Sequence, residues 1–543
     1  MLLHSSQPTT HKPQPTRQGY VLIAVLIVVS VLALMAYRFT DSMTAEYRAG
    51  SRTADAARAR AAAVSGVHYA AAMLADRDLV TTQLSGDPTA DNPTWTDVTV
   101  WADPKNSGRD TKFRIIAIVP TGAGIYERRA AVTDEGGKLN INALIAQDKN
   151  GNLLYNALTK IPNMTPDIAA NIVDWVDADD TPGSGAAVAG GGAIGAENSH
   201  YQSLGNPYKC KNGPLNSLDE LLLVKDVTAQ LLYGTDQNRN GISDDTTGGG
   251  GLDRGWSDYL TTFGRDVSVD STGQLKVWIN GDSPKAIYDA LKASGIGDEA
   301  SAYIMAVKLW GSTRLDAQGN PIQGKGQPPA PTDVEVGSLS QLVTAVETKL
   351  ESTTSSGRAI NSIYDLLFTR VNLPRSGGGG GKGKTMVYNS PLNDSGQLSE
   401  VLPKLLDKLA AKEAVELVPR LNVNTAPREV IAGLPGLEDA DVDAIMSARD
   451  GLTPGELSYT TAAWLATSAN LTKPKLRAIE TLVTGSSMVY RVQSVGYSTP
   501  GNPVARVEAV IDTNLGAPRI VYFRDLADLD SPRLFQPQAN RQK

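Results

Sequence analysis

In Asp236-Gln237-Asn238-Arg239-Asn240-Gly241-Ile242-Ser243-Asp244-Asp245, oxygen-bearing side chains stand at alternate positions and a glycine stands at the sixth. A short loop needs that pattern to wrap a hard cation such as calcium. Asp236, Asn238 and Asn240 would offer side-chain oxygens and Ile242 its backbone carbonyl. The twelfth position is Thr247 rather than a bidentate carboxylate, so Asp244, Asp245 or a distant acid such as Glu197 would have to close the shell. The same residues also read as a solvated Asn/Asp/Gly turn.

Two other motifs look catalytic or phosphate-binding and lose that reading in context. Gly378 to Thr385 matches Gly-x-x-x-x-Gly-Lys-Thr, but Leu373-Pro374-Arg375-Ser376 before it and Asn389-Ser390-Pro391 after it support neither the strand nor the helix of a phosphate loop. It reads as a glycine linker, and no nucleotide is expected. Leu434-Pro435-Gly436-Leu437-Glu438-Asp439 has the form of a helix-joining hairpin that could present amides to a phosphate. Glutamate and aspartate stand where the phosphate would lie. The four histidines, His4, His11, His68 and His200, are scattered, and no nucleophile-elbow or zinc-protease spacing occurs. The reading is of a protein that is not an enzyme.

The elements that must position these residues begin with the chain's size and charge. A length of 543 residues suggests roughly two to four folded units. With 51 basic against 58 acidic residues the net charge is −7, opposite to the footprint of a phosphate-backbone binder, so no nucleic acid is expected. Cys210 is the only cysteine, so no intrachain disulfide can form and the fold rests on core burial, with a metal as the remaining aid.

Met1 to Gly19 is polar and carries Lys12 and Arg17. Tyr20 to Tyr37 is apolar apart from Ser30, and Thr40 to Asp76 is alanine-rich. The apolar run is long enough to span a bilayer, and the basic residues before it predict a cytoplasmic start with most of the chain outside. Leu34-Met35-Ala36 fits an ordinary secretory cleavage site poorly, and the two helical stretches read as one rod.

Downstream, Leu139-Asn140-Ile141-Asn142-Ala143, Ile161-Pro162-Asn163-Met164 and Ile168 to Ile172 are echoed by Leu421-Asn422-Val423-Asn424-Thr425-Ala426, Leu434-Pro435-Gly436-Leu437 and Val442 to Ile445. Each copy reads as a small helical hairpin opened by an asparagine turn. Val98 to Val119, Tyr126 to Val132, Val489 to Tyr497, Val504 to Ile511 and Ile520 to Phe523 read as strands of one sheet packed on the N-terminal helix. Ala359 to Phe368 reads as a short helix, and Asp316 to Pro331 and Ser376 to Lys384 as loops.

The basic leader, glycine, apolar helix and continuing helix resemble a type IV pilin or pseudopilin. That resemblance implies cleavage by a prepilin peptidase between Gly19 and Tyr20, with methylation of the new terminus. Tyr20 departs from the usual phenylalanine or methionine, and Ala24 stands at the fifth mature position, where glutamate is usual. A carboxylate there costs roughly 2.5–3.5 kcal/mol in the bilayer and is kept to meet the neighbouring subunit's amino terminus, so its absence suggests a terminal subunit. Among pseudopilins this is similar to the K class of type II secretion systems. The paired hairpins are similar to that class's SAM-like, helix-hairpin-helix-type units. Ile172-Val173-Asp174-Trp175-Val176-Asp177, Gly195-Ala196-Glu197, Pro214 to Leu221 and Leu232-Tyr233-Gly234 read as phrases of the same family.

The resemblance implies an α+β fold, a long helix on an antiparallel sheet with a large, mainly helical insertion. Its parts are a leader (1–19), a transmembrane helix (20–37), a pilin-like helix and first strands (38–137), a first helical domain with the possible calcium loop (138–265), an elaborated insertion (266–420), a second helical unit (421–484) and closing strands (485–543). It implies a minor pseudopilin at the pseudopilus tip, anchored in the inner membrane with its bulk periplasmic. Its partners would be the I- and J-class minor pseudopilins, the major pseudopilin and the prepilin peptidase, and calcium would sit in the first domain. The alternative is a membrane-anchored helix-hairpin-helix DNA receptor of the competence type.

Overall fold

A computed structural model describes residues 18–105, 109–122, 125–183, 195–245, 251–316, 318–322, 334–353, 355–374, 385–498, 504–526 and 529. Most of the leader, the twelfth loop position Thr247 and the glycine run 378–384 lie outside these residues.

Helix α1, Gln18–Ala75, runs 58 residues without a break. Proline is absent from it and alanine abundant, so little opposes propagation. The hydroxyls of Ser30, Thr40 and Thr44 donate back to the carbonyls of Leu26, Ala36 and Thr40, so the polar side chains are satisfied along an otherwise apolar rod. Asp76 ends it, turning extended and capping the amides of Asp78 and Leu79 in the next short helix. Residues 20–50 are exposed throughout. Among the described residues, α1 is the one helix long and apolar enough to cross a membrane.

The second half of α1 lies on an antiparallel sheet of β1 (Val98–Trp101), β2 (Thr111–Gly122), β3 (Ile125–Arg129), β4 (Thr133–Asp134), β5 (Val489–Tyr497), β6 (Val504–Asp512) and β7 (Arg519–Asp525). The order is β1-β2-β5-β6-β7, with β3 paired to β2 and β4 to β5. The expected strand run Val98 to Val119 is broken between β1 and β2, where Asp110 accepts the amide of Asp103. Val507, Ala509 and Ile511 of β6 meet Ala59, Ala62, Ala63, Val67 and Ala70 of α1 in one core. The alternate residues Arg506 and Glu508 face the helical region. Two glycines allow the close approach. A Cβ at Gly496 would lie 1.9 Å from the Ala59 carbonyl oxygen, and one at Gly66 would lie 2.2 Å from Ser494 Oγ.

Between β4 and β5 the chain builds the helical region around a second, continuous core. The first unit holds α2 (Ile141–Gln147), α3 (Asn152–Leu158) and α4 (Pro166–Val176). The insertion holds α5 (Pro284–Ala293), α6 (Asp298–Trp310), α7 (Leu339–Glu351) and α8 (Ser395–Lys408), and the second unit holds α9 (Arg428–Ile431), α10 (Asp439–Arg449) and α11 (Lys473–Ile479).

The repeat seen in the sequence is a repeat of clamps. Leu139-Asn140 pairs in parallel with Leu260-Thr261, and Leu421-Asn422 in parallel with Val483-Thr484, so each unit is closed where it opens. Asn142 donates to the carbonyls of Leu215 and Thr262 and accepts the amide of Leu215. Its counterpart Asn424 donates to the carbonyls of Tyr459 and Gly485 and accepts the indole N–H of Trp464.

The insertion is less helical than expected. It contains a four-stranded sheet in the order Val334–Val336, Thr385–Asn389, Thr369–Asn372, Thr313–Arg314. The helix expected over Ala359 to Phe368 is only a 3-10 turn, Ile363–Leu366. Ile363, Tyr364, Leu366 and Leu367 are all buried, which leaves no polar face for an amphipathic helix, and Phe368 at φ 50° turns the chain into a strand.

Candidate metal centre

Thr165 caps the amide of Ile168 and Pro166 opens α4, whose residues Ile168 to Val176 are all buried. Asp174 is therefore carried into the core, and Asp177, one turn on at the helix end, follows on the same face. The chain returns at Gly195-Ala196-Glu197. Glu197 is 2% exposed, and oxygens of Asp174, Asp177 and Glu197 all lie within 4.8 Å of one another. Among the described residues no other such group of acids, histidines or cysteines forms.

Asp174 accepts the amide of Gly183, while both Glu197 oxygens are buried without a hydrogen-bond partner. A Cβ at Gly195 would fall 1.9 Å from Asp174 Oδ2, so only glycine lets this strand of backbone pass the carboxylate. Burial, followed by the nearby Asp177 and Asp179, pushes Asp174 up to about 7. Burial, followed by Asp174, Asp177, Asp180 and Asp179, pushes Glu197 up to about 8.

A second layer fixes the site. Asn198 donates to Asp180 at 2.6 Å and accepts the amide of Cys210, and Asn212 donates to Asp180 and to the Asp179 carbonyl. The Cys210 thiol faces the Asp174 carbonyl at 3.5 Å, and burial raises it to about 12, so it offers no thiolate. Trp175 packs edge-on against Tyr201 and Tyr208 behind the acids. Three buried carboxylates, with both Glu197 oxygens unmet and no sulfur or imidazole donor beside them, suit a hard cation, and uncompensated they are costly.

Glu197 thus lies with Asp174 and Asp177. Those two acids stand in the family-like phrase Ile172 to Asp177, and no contiguous loop pattern in the sequence marks them as ligands. The signal that could have found them is an inward i, i+3 acid pair closing an otherwise apolar helix.

The loop from Asp236 folds on itself as a cation loop would. Asp236 accepts the amides of Asn240 and Gly241, Asn238 that of Asn240, and Asn240 that of Ile242, while Arg239 and Gly241 are left-handed. Two features compete with a metal there. Arg254 lies 3.5 Å from Asp236, and the Asn238 amide donates to Asp244. Burial raises Asp236. Asp245 donates its own amide to Ser243.

The remaining sequence motifs fall elsewhere. At the Leu434–Asp439 hairpin the N-terminus of α10 is already closed by a capping box of Glu438 and Asp441, and Lys475 bonds Asp441 at 2.6 Å. The adjoining groove with α3, about 410 Å³, has Lys160 against Glu438 and Asp439 on its walls. The amides of Glu438 and Asp441 are therefore already taken, and the acidic side chains stand at the helix end that a phosphate would approach. The glycine run lies between two antiparallel strands, Thr369–Asn372 and Thr385–Asn389, so a strand and not a helix stands directly after it. Gly19 and Tyr20 are passed by α1 without a break.

Residues 137–234 match the family model described as Type II secretion system (T2SS), protein K. A search of curated proteins finds no match. Among solved structures, a chain of the GspK-GspI-GspJ complex from the enterotoxigenic Escherichia coli type 2 secretion system is similar. It shows 10% identity and a TM-score of 0.34, over 90% of this chain and 98% of that one. The matched stretch, 137–234, holds the acidic cluster, and the family whose model it matches is the one that the sequence resemblance names.

Proposed function

We propose that the chain is a non-enzymatic minor pseudopilin that ends the pseudopilus of a type II secretion system and helps start its assembly and protein export. The observation that carries this reading is α1 itself. Its apolar half, 20–39, is bare and its alanine-rich half is built into the sheet, so the helix can anchor and stack while the body stays outside the bilayer. Ala24 supports a terminal place, since a subunit lacking the carboxylate has none to offer a neighbour's amino terminus. Processing at Gly19–Tyr20 and assembly with I- and J-class subunits and the major pseudopilin follow from the same reading.

Calcium belongs to the proposal as a structural ion. Asp174, Asp177 and Glu197 would hold it, since Glu197's unmet oxygens and the clustering of the three carboxylates within 4.8 Å fit a bound cation. The Asp236 loop is a second candidate, with Asp236, Asn238, Asn240, Ile242 and Asp244 as its donors.

The test is co-purification of the full chain from membranes. Recovery of I- and J-class pseudopilins with it, together with a mature chain whose first residue is methylated Tyr20, is expected. Recovery of neither, or an intact Met1, would refute the reading.

A further inference from the structure

The fourth residue of the Asp236–Asp245 loop reaches out of it. Arg239 sits at φ 59°, and its guanidinium bonds Asp219 of the first unit at 2.8 Å and Glu508 of β6 at 3.3 Å while lying over the Tyr233 ring at 4.5 Å. The other oxygen of Asp219 takes Arg524 of β7 at 2.6 Å. Glu508 is shared with Arg491 of β5 at 2.8 Å, and Arg491 pairs with the fully buried Glu135 at 2.7 Å. The loop backbone is gripped as well. Arg506 of β6 donates to the carbonyls of Asn238 and Arg239, and Gln493 of β5 donates to that of Arg239. A Cβ at Gly241 would lie 2.9 Å from Ile118 of β2, so the loop lies flush on the sheet.

One short loop therefore bonds to two of the closing strands and, through Asp219, to the third. That third strand, β7, pairs only with β6 among the described residues and is the free edge of the sheet. An edge strand with half the usual ladder depends more on side-chain ties than a central one does. Arg239 and Glu508 are largely desolvated, at 12% and 6% exposure, so their pairing is not the weak surface kind.

We propose that the Asp236–Asp245 loop is a latch between the first helical unit and the closing strands, with Arg239–Asp219–Arg524 as the link through which the loop's seated shape keeps β7 ordered. The latch does not depend on a metal in the loop.

Hydrogen exchange of the full chain in detergent tests it. Arg239→Gln and Asp219→Asn, made singly and together, should each speed exchange of the 519–525 amides at least tenfold. The double variant should go no more than about twofold beyond either single variant, because all act on one link. Exchange of α4 and β2 should stay as in the wild type, which shows that the variants fold. Unchanged exchange at β7 in either single variant would overturn the latch, as would a double-variant effect that is the product of the two. Calcium added as a probe separates this inference from the loop's proposed metal role. If calcium binds the chain without slowing β7, the loop fails as a coupled metal site while the latch stands on the variants.

Discussion

Replacing Glu197 by glutamine should stabilise the metal-free protein and destabilise the calcium-loaded one relative to wild type, so that the two melting curves change order. Glu197 is buried with oxygens within 4.8 Å of those of Asp174 and Asp177. At that separation and an effective dielectric constant near 20, each pair of ionised carboxylates repels by about 3.5 kcal/mol. Relaxation and proton uptake by the cluster relieve much of it, so the expected gain in chelator is about 1–3 kcal/mol, or about 2–4 °C for each kcal/mol in a unit of 150–250 residues. The glutamine amide can still donate to the two aspartates, so the substitution leaves no new buried donor unmet. With calcium the sign turns. The wild type gains about 2.7 kcal/mol when free calcium is a hundred times the Kd, and a site with one formal charge fewer gains less. The assay is thermal melting of the full chain in detergent at pH 8.5, above the point to which Glu197 is raised, in calcium and in chelator. A variant that melts lower than wild type in chelator, or that responds to calcium as wild type does, would refute the electrostatic argument.

Three further outcomes follow from the packing. Gly496→Ala should cost about 3 kcal/mol or more in urea unfolding of the full chain, the upper end for overpacking, because the clashing atoms are the Ala59 and Ala63 backbone rather than movable side chains. Asn424→Ala should cost about 3 kcal/mol, since it strips partners from the Trp464 indole and from the carbonyls of Tyr459 and Gly485; a loss under about 1 kcal/mol would mean that water replaces the clamp. Lys276, which donates to the Leu406 carbonyl, is lowered to about 8, first by burial and then by Arg420. Between about pH 8 and its ordinary value near 10.5 the unfolded chain holds a proton that the folded one has released, so Lys276 adds stability as pH rises through that window. Lys276→Met should flatten that rise in melts taken from pH 7.5 to 10.

How far the sequence could be read depended on whether the deciding interaction is local. The rod of α1 and the strands β5 to β7 follow from apolar runs and alternation, and their ends fall within a residue or two of the patterns. The asparagine turns announced the two units because Asn142 and Asn424 each close a loop whose far side returns many residues later. The spacing could show that a turn was there, but not that its side chain clamps Leu215 or Gly485. The metal candidate shows the same limit in sharper form. The Asp236 loop is legible because its oxygens are neighbours in sequence, yet its first carboxylate meets Arg254, which nothing nearby in the chain predicts. Asp174 and Glu197 stand 23 residues apart and face each other only after α4 buries one and Gly195 lets the chain pass close with the other. A cation site assembled across a returning chain leaves acids in apolar helices as its only trace, so a buried i, i+3 pair such as Asp174 and Asp177 is the feature to seek where no contiguous loop exists.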